Sequence, residues 1–168
     1  MIGVVSDSHD DLQSTRRAAD YMRRAGVEAV IHLGDFIAPF TLRELARGVG
    51  VPIEGVLGNN DGEIELMLQA AREYNARVES WPRIVQMGGR RLLLMHGRGS
   101  ADLTVEVAHA LAESGRFEGV LYGHTHKEEL TYVRGVLILN PGPLSSAIGG
   151  PSLALLDTTS MAARIVRP

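Results

Sequence analysis

The sequence predicts an α/β fold in which two mixed β-sheets pack face to face with helices on the outside. Three observations carry this. Short apolar runs alternate with helix-length segments through the first half of the chain. The second half is a series of short apolar runs, two pairs of which are joined by Gly-containing turns. Several of the apolar runs end abruptly in a short polar motif. With 168 residues and 45% hydrophobic content, the chain is expected to form one domain over residues 1–168. A chain of that size buries about 70% of its unfolded surface without staples.

Ile2 to Ser6 reads as a buried strand. Residues 12–25 follow as an amphipathic helix with Leu12, Ala19, Met22 and Ala25 inward, stopped at Gly26. Val27 to Leu33 is a second strand, Thr41 to Arg47 a short helix ended by Gly48, Val51 to Leu57 a third strand, and Ile64 to Tyr74 a third helix. Such a βαβαβ order implies a parallel sheet with crossover helices. Arg77 to Trp81 and Arg83 to Met87 read as short strands, and Gly88-Gly89 as a hairpin turn into Arg91 to Met95. A helix is expected from Asp102, its N-cap, to Ser114. Gly119 to Tyr122 is a buried strand. Arg134-Gly135 joins Leu130 to Val133 with Val136 to Leu139, and Ser152 to Leu156 and Ala163 to Val166 form a last pair.

Composition removes several classes of function. Cysteine is absent, which excludes disulfides, thiolate metal sites and a cysteine nucleophile. The net charge of −3, with both signs interspersed, argues against a stable nucleic-acid partner. The N-terminus Met1-Ile2-Gly3-Val4-Val5-Ser6-Asp7 lacks the basic start of a secretory signal. No apolar run approaches the ~20 residues of a membrane span. The expectation is a cytoplasmic protein with no membrane partner.

Position is the informative feature of the polar residues. Val4-Val5 leads into Ser6-Asp7-Ser8-His9, and Ile31-His32-Leu33 into Gly34-Asp35. Val56-Leu57 leads into Gly58-Asn59-Asn60-Asp61, and Leu94-Met95 into His96-Gly97. Leu121-Tyr122 leads into Gly123-His124-Thr125-His126, and Ile138-Leu139 into Asn140-Pro141-Gly142. Ligands of open α/β sheets bind beyond the carboxyl ends of strands, so parallel neighbours would gather these motifs on one rim. Carboxylates and imidazoles without thiolates suit Mn²⁺, Fe²⁺, Zn²⁺, Co²⁺ or Ni²⁺. Asp7-x-His9 and His124-x-His126 each offer alternate residues on one side of an extended segment. The candidates Asp7, His9, Asp35, Asn59, His96, His124 and His126 exceed what one tetrahedral ion takes. They suit two ions sharing a carboxylate, a device for phosphoester hydrolysis.

In this order, the motifs resemble those of the calcineurin-like metallophosphoesterases. Length and Asn140-Pro141-Gly142 look most like the small YfcE-like phosphodiesterases. The resemblance runs from Ser6 to Gly142. It implies a four-layer αββα sandwich and two divalent ions, with Mn²⁺ put first and Ni²⁺, Fe²⁺, Co²⁺ or Zn²⁺ as alternatives. It implies that Asp7, His9, Asp35 and His126 hold one ion, that Asp35, Asn59, His96 and His124 hold the other, and that Asp35 bridges. By the same resemblance a hydroxide shared by the ions attacks phosphorus in line, the substrate is a small phosphodiester, and homo-oligomers, a homodimer among them, are an allowed arrangement.

Two positions depart from the pattern. Many relatives have histidine where this chain has Asn60, and an amide does not titrate near neutral pH. Asn60 is therefore expected to donate a hydrogen bond to phosphate and to favour diesters over alkyl monoesters. Arg98 stands where relatives often have a further histidine, and its guanidinium is expected to grip a phosphate oxygen. Asp61 loses the histidine that it orients in relatives, and capping the next helix is its alternative use. His32 reads as a satisfied core histidine and His109 as structural or exposed. Asp10 and Asp11 read as helix-capping residues, Met22 and Met67 as core or a subunit contact, and Arg16-Arg17 and Arg23-Arg24 as a solvated face. Asn140 is either near the ions or part of a turn. Two other functions compete: a non-catalytic scaffold resembling the retromer scaffold subunit, and a phosphomonoesterase or protein phosphatase.

Overall fold

The computed structural model describes residues Met1–Pro168. Its first half follows the alternating order: β1 (Ile2–Val5), α1 (Leu12–Arg24), β2 (Val30–His32), α2 (Pro39–Val49), β3 (Ile53–Val56), α3 (Ile64–Glu73) and β4 (Ala76–Glu79). These four strands pair in parallel, with Val4 beside Ile31 and Ile31 beside Glu54. The second half supplies β5 (Arg83–Met87), β6 (Arg90–Met95), α4 (Ala101–Glu113), β7 (Gly119–Tyr122), β8 (Glu129–Val133) and β9 (Val136–Asn140). They form a sheet of order β5-β6-β7-β9-β8, in which β6, β7 and β9 run parallel and the outer strands antiparallel. The last strands, β10 (Leu153–Leu156) and β11 (Ala163–Val166), return to the first sheet and complete the order β11-β10-β1-β2-β3-β4. Both predicted hairpin turns have two residues at positive φ: 56° and 76° at Gly88-Gly89, 51° and 84° at Arg134-Gly135. That is the backbone a tight two-residue hairpin needs.

Three apolar layers hold the elements together. Ile2, Val4, Ile31, Leu92, Leu94 and Leu139 belong to the cluster sealed between the sheets. On the outer face of the first sheet, Val5, Val30 and Ile53 meet Met22, Leu42, Leu45 and Met67 of the helices. On the outer face of the second, Leu93, Val120 and Ile138 meet Ala108 and Ala112 of α4. β1, β7, β9 and β10 are buried along their whole length, which is why they read as unbroken apolar runs. The result is the expected order of helix, sheet, sheet, helix. Each fully buried aliphatic side chain in it contributes about 1.5–3 kcal/mol.

The structure corrects several local expectations. α4 is capped by Ser100, whose Oγ accepts from the Leu103 amide at 3.2 Å, so Asp102 sits inside the first turn. α2 runs through Gly48 and ends on Gly50, whose φ of 67° is the left-handed stop. Gly48 is there for packing: a Cβ built on it would lie 2.5 Å from Ala19 Cβ of α1. β2 starts at Val30, three residues later than expected, because Val27 to Ala29 only lead into the sheet. In α1 the inward positions are Ser14, Thr15, Ala18, Ala19 and Met22, with Leu12 and Ala25 only half covered.

One test separates helix propensity from packing. In an open helix interior, Gly→Ala stabilises by roughly 1 kcal/mol. Gly48→Ala is expected to destabilise instead, by about 1–3 kcal/mol, since neither helix backbone can yield cheaply to the new methyl. Chemical denaturation reads this as a lower midpoint with an unchanged slope.

Candidate metal centre

The polar motifs leave the carboxyl ends of strands from both sheets, and those ends meet. β1, β2 and β3 deliver Asp7, Asp35 and Asn59, while β6 and β7 deliver His96 and the turn Gly123–His126. The His124 amide donates to both Asp7 carboxylate oxygens, at 3.1 and 3.3 Å, and so bridges the sheets. Leu144 and Ser145, beyond β9, donate their amides to the Ser6 and Asp7 carbonyls at 2.8 and 3.2 Å. Turning this many side chains onto one rim strains the backbone. Asp7, His9, Asp35, His124 and His126 have φ of 52°, 44°, 58°, 80° and 54°. Non-glycine residues rarely adopt such values, at about 1–3 kcal/mol each, and they cluster at functional sites. Gly58 shows how tight the rim is: a Cβ there would fall 2.1 Å from Asp35 Oδ1.

The candidate side chains fall into two clusters that share Asp35. In the first, Asp7, His9, Asp35 and His126 each bring one ligand-type atom within 4.8 Å of the others. His126 Nε2 lies 3.3 Å from Asp7 Oδ1, and His9 Nε2 lies 3.4 Å from Asp35 Oδ2. In the second, His96 Nε2 lies 3.4 Å from Asp35 Oδ1 and 3.2 Å from Asn59 Oδ1, and His124 Nδ1 lies 2.8 Å from Asn59 Oδ1. His9 Nε2 is buried with no hydrogen-bond partner. An orphan nitrogen beside two carboxylates fits a cation site, because burial without a partner otherwise costs several kcal/mol. Two of the imidazoles are held from behind. His96 Nδ1 donates to the Leu33 carbonyl at 2.6 Å and His124 Nε2 to the Gly99 carbonyl at 3.0 Å, leaving the inward nitrogens free to ligate.

Burial opposes the charge of Asp7, yet its bonds with His126 and Ser6 and the charge of His96 hold the carboxyl below its usual range. Asp35 behaves alike: burial works against it, and His96 and the two donors of Asn60 overcome burial and keep it ionised. The carboxylates push the imidazoles the other way. Burial disfavours the charge of His96, but Asp35 and Asp7 raise its pKa; His126 is raised chiefly by its bond with Asp7.

The structure places the other singled-out residues as follows. Asn60 uses both donors on Asp35, its amide N on Oδ1 at 2.9 Å and its Nδ2 on Oδ2 at 2.7 Å, so here it orients that carboxylate. Arg98 is exposed and makes no hydrogen bond or ion pair within the chain; it lines a cavity with Asn59. His32 is a satisfied core histidine: Nε2 pairs with Ser8 Oγ at 3.0 Å, Nδ1 accepts from Gly34, and the ring stacks on Phe36 at 3.5 Å. Burial pushes its pKa down to about 3. His109 pairs with Glu129 at 2.8 Å. Asp11 caps α1, accepting from the Ser14 amide at 2.9 Å, whereas Asp10 accepts from Thr41 Oγ1. Asn140 forms a turn to Gly142 and donates to Thr125 Oγ1, between the two histidines of its turn. Met22 and Met67 are core.

Asp61 is where sequence reasoning fell short. It does not cap α3, whose N-terminal residue Glu63 makes no side-chain cap. Its carboxylate accepts from the amides of Ile37 and Gly58 at 2.7 Å and of Asp35 at 3.2 Å, and so ties the β2 and β3 loops together beneath the site. Burial pushes its pKa up, against the pull of those amides. Its place two residues after Asn59 was the only signal in the chain.

The profile of the calcineurin-like phosphoesterase superfamily domain matches residues 1–161. Phosphodiesterase MJ0936 of Methanocaldococcus jannaschii is 31% identical over 160 residues, which cover 94% of this chain and 92% of that protein. Phosphodiesterase YfcE of Escherichia coli is 27% identical over 168 residues, covering 90% of this chain and 84% of its own. A solved structure described as a novel archaeal phosphodiesterase superimposes with a TM-score of 0.88 at 30% identity, covering 98% of both chains.

Two outcomes follow from the geometry. Protons compete with cations for His96 and His126, whose pKa values lie above the ordinary imidazole value of about 6.5. Cation affinity therefore falls as the solution is acidified through that range, and binding near neutrality releases protons. Calorimetric titration with Mn²⁺ in two buffers of different ionisation enthalpy reads the release; equal heats in both would refute it. Asp61→Asn turns an NH₂ towards backbone donors. It is expected to cost about 1–3 kcal/mol of stability and about 10–100-fold in Mn²⁺ affinity, through the loosened Asp35 loop.

Proposed function

The chain belongs to the calcineurin-like phosphoesterase superfamily, and we propose that it is a metal-dependent phosphodiesterase with a binuclear centre. The observation that carries this is the sharing of Asp35: two clusters of acid, amide and imidazole groups meet on one carboxylate at the rim. In the proposal Asp7, His9, Asp35 and His126 hold one divalent ion, and Asp35, Asn59, His96 and His124 the other. Mn²⁺ is the first choice for both, on the all-oxygen-and-nitrogen donor set. Such ions acidify a water and neutralise charge on phosphoryl oxygens.

The chain's own residues do the rest. Leu33 and Gly99 carbonyls fix the tautomers of His96 and His124. Asp61 holds the Asp35 backbone in place, and Asn60 helps to keep its carboxylate ionised. Arg98, a cation without a partner at the lip, meets the charge of an incoming phosphate. Asn60, the non-titrating group where many relatives have histidine, gives the leaving oxygen no proton, so diesters and esters of acidic leaving groups react in preference to alkyl monoesters. The scaffold reading stays an alternative; the gathering of the candidate ligands at the rim favours the enzyme over it. The proposal includes a small phosphodiester as substrate, no stable nucleic-acid partner and a cytoplasmic location. It is supported by the net charge of −3 and by the lack of any helix long and apolar enough to cross a membrane.

The test is hydrolysis of bis(p-nitrophenyl) phosphate and p-nitrophenyl phosphate by metal-stripped protein refilled with Mn²⁺, Ni²⁺ or Zn²⁺. Activity is expected only after refilling and on the diester first. Asp35→Asn removes more than the roughly 10–100-fold typical of losing a supporting residue. Activity that survives both stripping and this substitution sinks the proposal. Asn60→His is expected to raise monoester hydrolysis, towards the ~10²-fold that a positioned general acid supplies.

A further inference from the structure

The turn Gly123–His126 supplies a histidine to each of the two clusters, His126 to the first and His124 to the second. Both stand at positive φ, 54° and 80°. His124 is held from behind by the Gly99 carbonyl. His126 has no such partner; its Nε2 meets Asp7 Oδ1 at 3.3 Å, and the ring otherwise goes where its backbone takes it. Thr125, between the two, is buried and offers no ligand. Its hydroxyl donates to the Lys127 carbonyl and accepts from the Lys127 amide, each at 3.4 Å, and so brackets His126. The same oxygen accepts from Asn140 Nδ2 at 3.0 Å.

Asn140 ends β9 and is wholly buried. Its carboxamide is engaged at both ends, since Oδ1 accepts from the Gly142 amide at 3.0 Å while Nδ2 donates to Thr125. That orientation is fixed, because a flipped amide would set its NH₂ against the Gly142 N–H. The loop beyond is seated closely. Ser152 Oγ donates to the Pro141 carbonyl at 2.7 Å, and a Cβ on Gly142 would fall 2.4 Å from that hydroxyl oxygen. Two residues on, the Leu144 and Ser145 amides grip the Ser6 and Asp7 carbonyls. One carboxamide thus joins the histidine turn to the loop that holds Asp7. The base of the turn is closed separately: Tyr122, at the end of β7, donates its hydroxyl to Glu129, at the start of β8. Apolar side chains would fill the Asn140–Thr125 space at less desolvation cost, whereas a satisfied polar pair adds direction.

Resting on the phosphodiesterase reading, we propose that Asn140 and Thr125 are positioning residues of the reaction. Their bond sets His124 and His126 against Asp7. Through that spacing it governs the grip on the cations and the rate of the step they serve. Neither residue is itself a ligand.

The test uses the full chain, with Mn²⁺ as the probe. Thr125→Val keeps the shape of the side chain and removes the hydroxyl, whereas Thr125→Ser keeps the hydroxyl. Calorimetric titration of the metal-free proteins is expected to show Mn²⁺ bound about 10–100-fold more weakly by Thr125→Val, with Thr125→Ser close to the native affinity. At saturating Mn²⁺, Thr125→Val should lower kcat on bis(p-nitrophenyl) phosphate and leave KM nearly unchanged, since the contacts of the diester itself are intact. Asn140→Leu breaks the same bond, so the double variant should lose no more than Asn140→Leu alone. Chemical denaturation gives the folded fraction of each protein, and Thr125→Ala replaces Thr125→Val if the latter does not fold. A pair needed merely for folding would lower the denaturation midpoint and leave the affinity and kcat of the folded protein alone. That result overturns the inference. So does a loss in Thr125→Ser equal to that in Thr125→Val, losses that simply add in the double variant, or failure of Thr125→Val and Thr125→Ala alike to fold. Wild-type protein that binds Mn²⁺ yet hydrolyses no ester removes the phosphodiesterase reading, and the affinities alone then decide the positioning claim. Wild-type protein that binds no Mn²⁺ removes both.

Discussion

Asp35 must stay ionised while almost wholly buried, and the rim of the molecule is arranged around that requirement. A carboxylate in that position is unfavourable unless donors surround it. His96 and both donors of Asn60 do so. Its backbone is held as well, since the Asp35 amide donates to Asp61 and the Gly58 backbone fits against the carboxylate where no side chain could. Take away the donors and burial would neutralise the acid. Take away the left-handed turn and the acid would point elsewhere. The chemistry proposed for the site needs both.

The architecture explains how so crowded a rim is reached. Parallel strands put their carboxyl ends on one side, and two such runs packed face to face bring their ends together. Apolar layers on both faces of each sheet make the scaffold stiff enough to hold five strained residues at its edge. Backbone strain of this sort persists only where the surrounding structure over-determines it.

Much of this was readable from the chain. Unbroken apolar runs gave the strands, and the polar motif after each gave its place at the rim, because both are local patterns. His32 also read correctly, since a lone histidine inside a strand has little to do but pack. What failed depends on partners far away in sequence. Gly48 reads as a stop signal unless it is known that Ala19 presses on it. Asp61 reads as a cap unless the amides of Asp35 and Ile37 are known to face it. Asp102 and Ser100 are both good caps, and only the path of the chain chooses between them.

The rim draws Asp7, His9, Asp35 and Asn59 from the first sheet and His96, His124 and His126 from the second. Any cation seated there is a rivet through both halves. Its grip adds to the cohesion of the whole sandwich, by about 2.7 kcal/mol at a hundredfold excess over its dissociation constant. During synthesis, the rivet hole is not finished until the Gly123–His126 turn has folded against Asp7. A half-made chain therefore offers no complete seat for a cation, and the seat is finished together with closure of the two sheets.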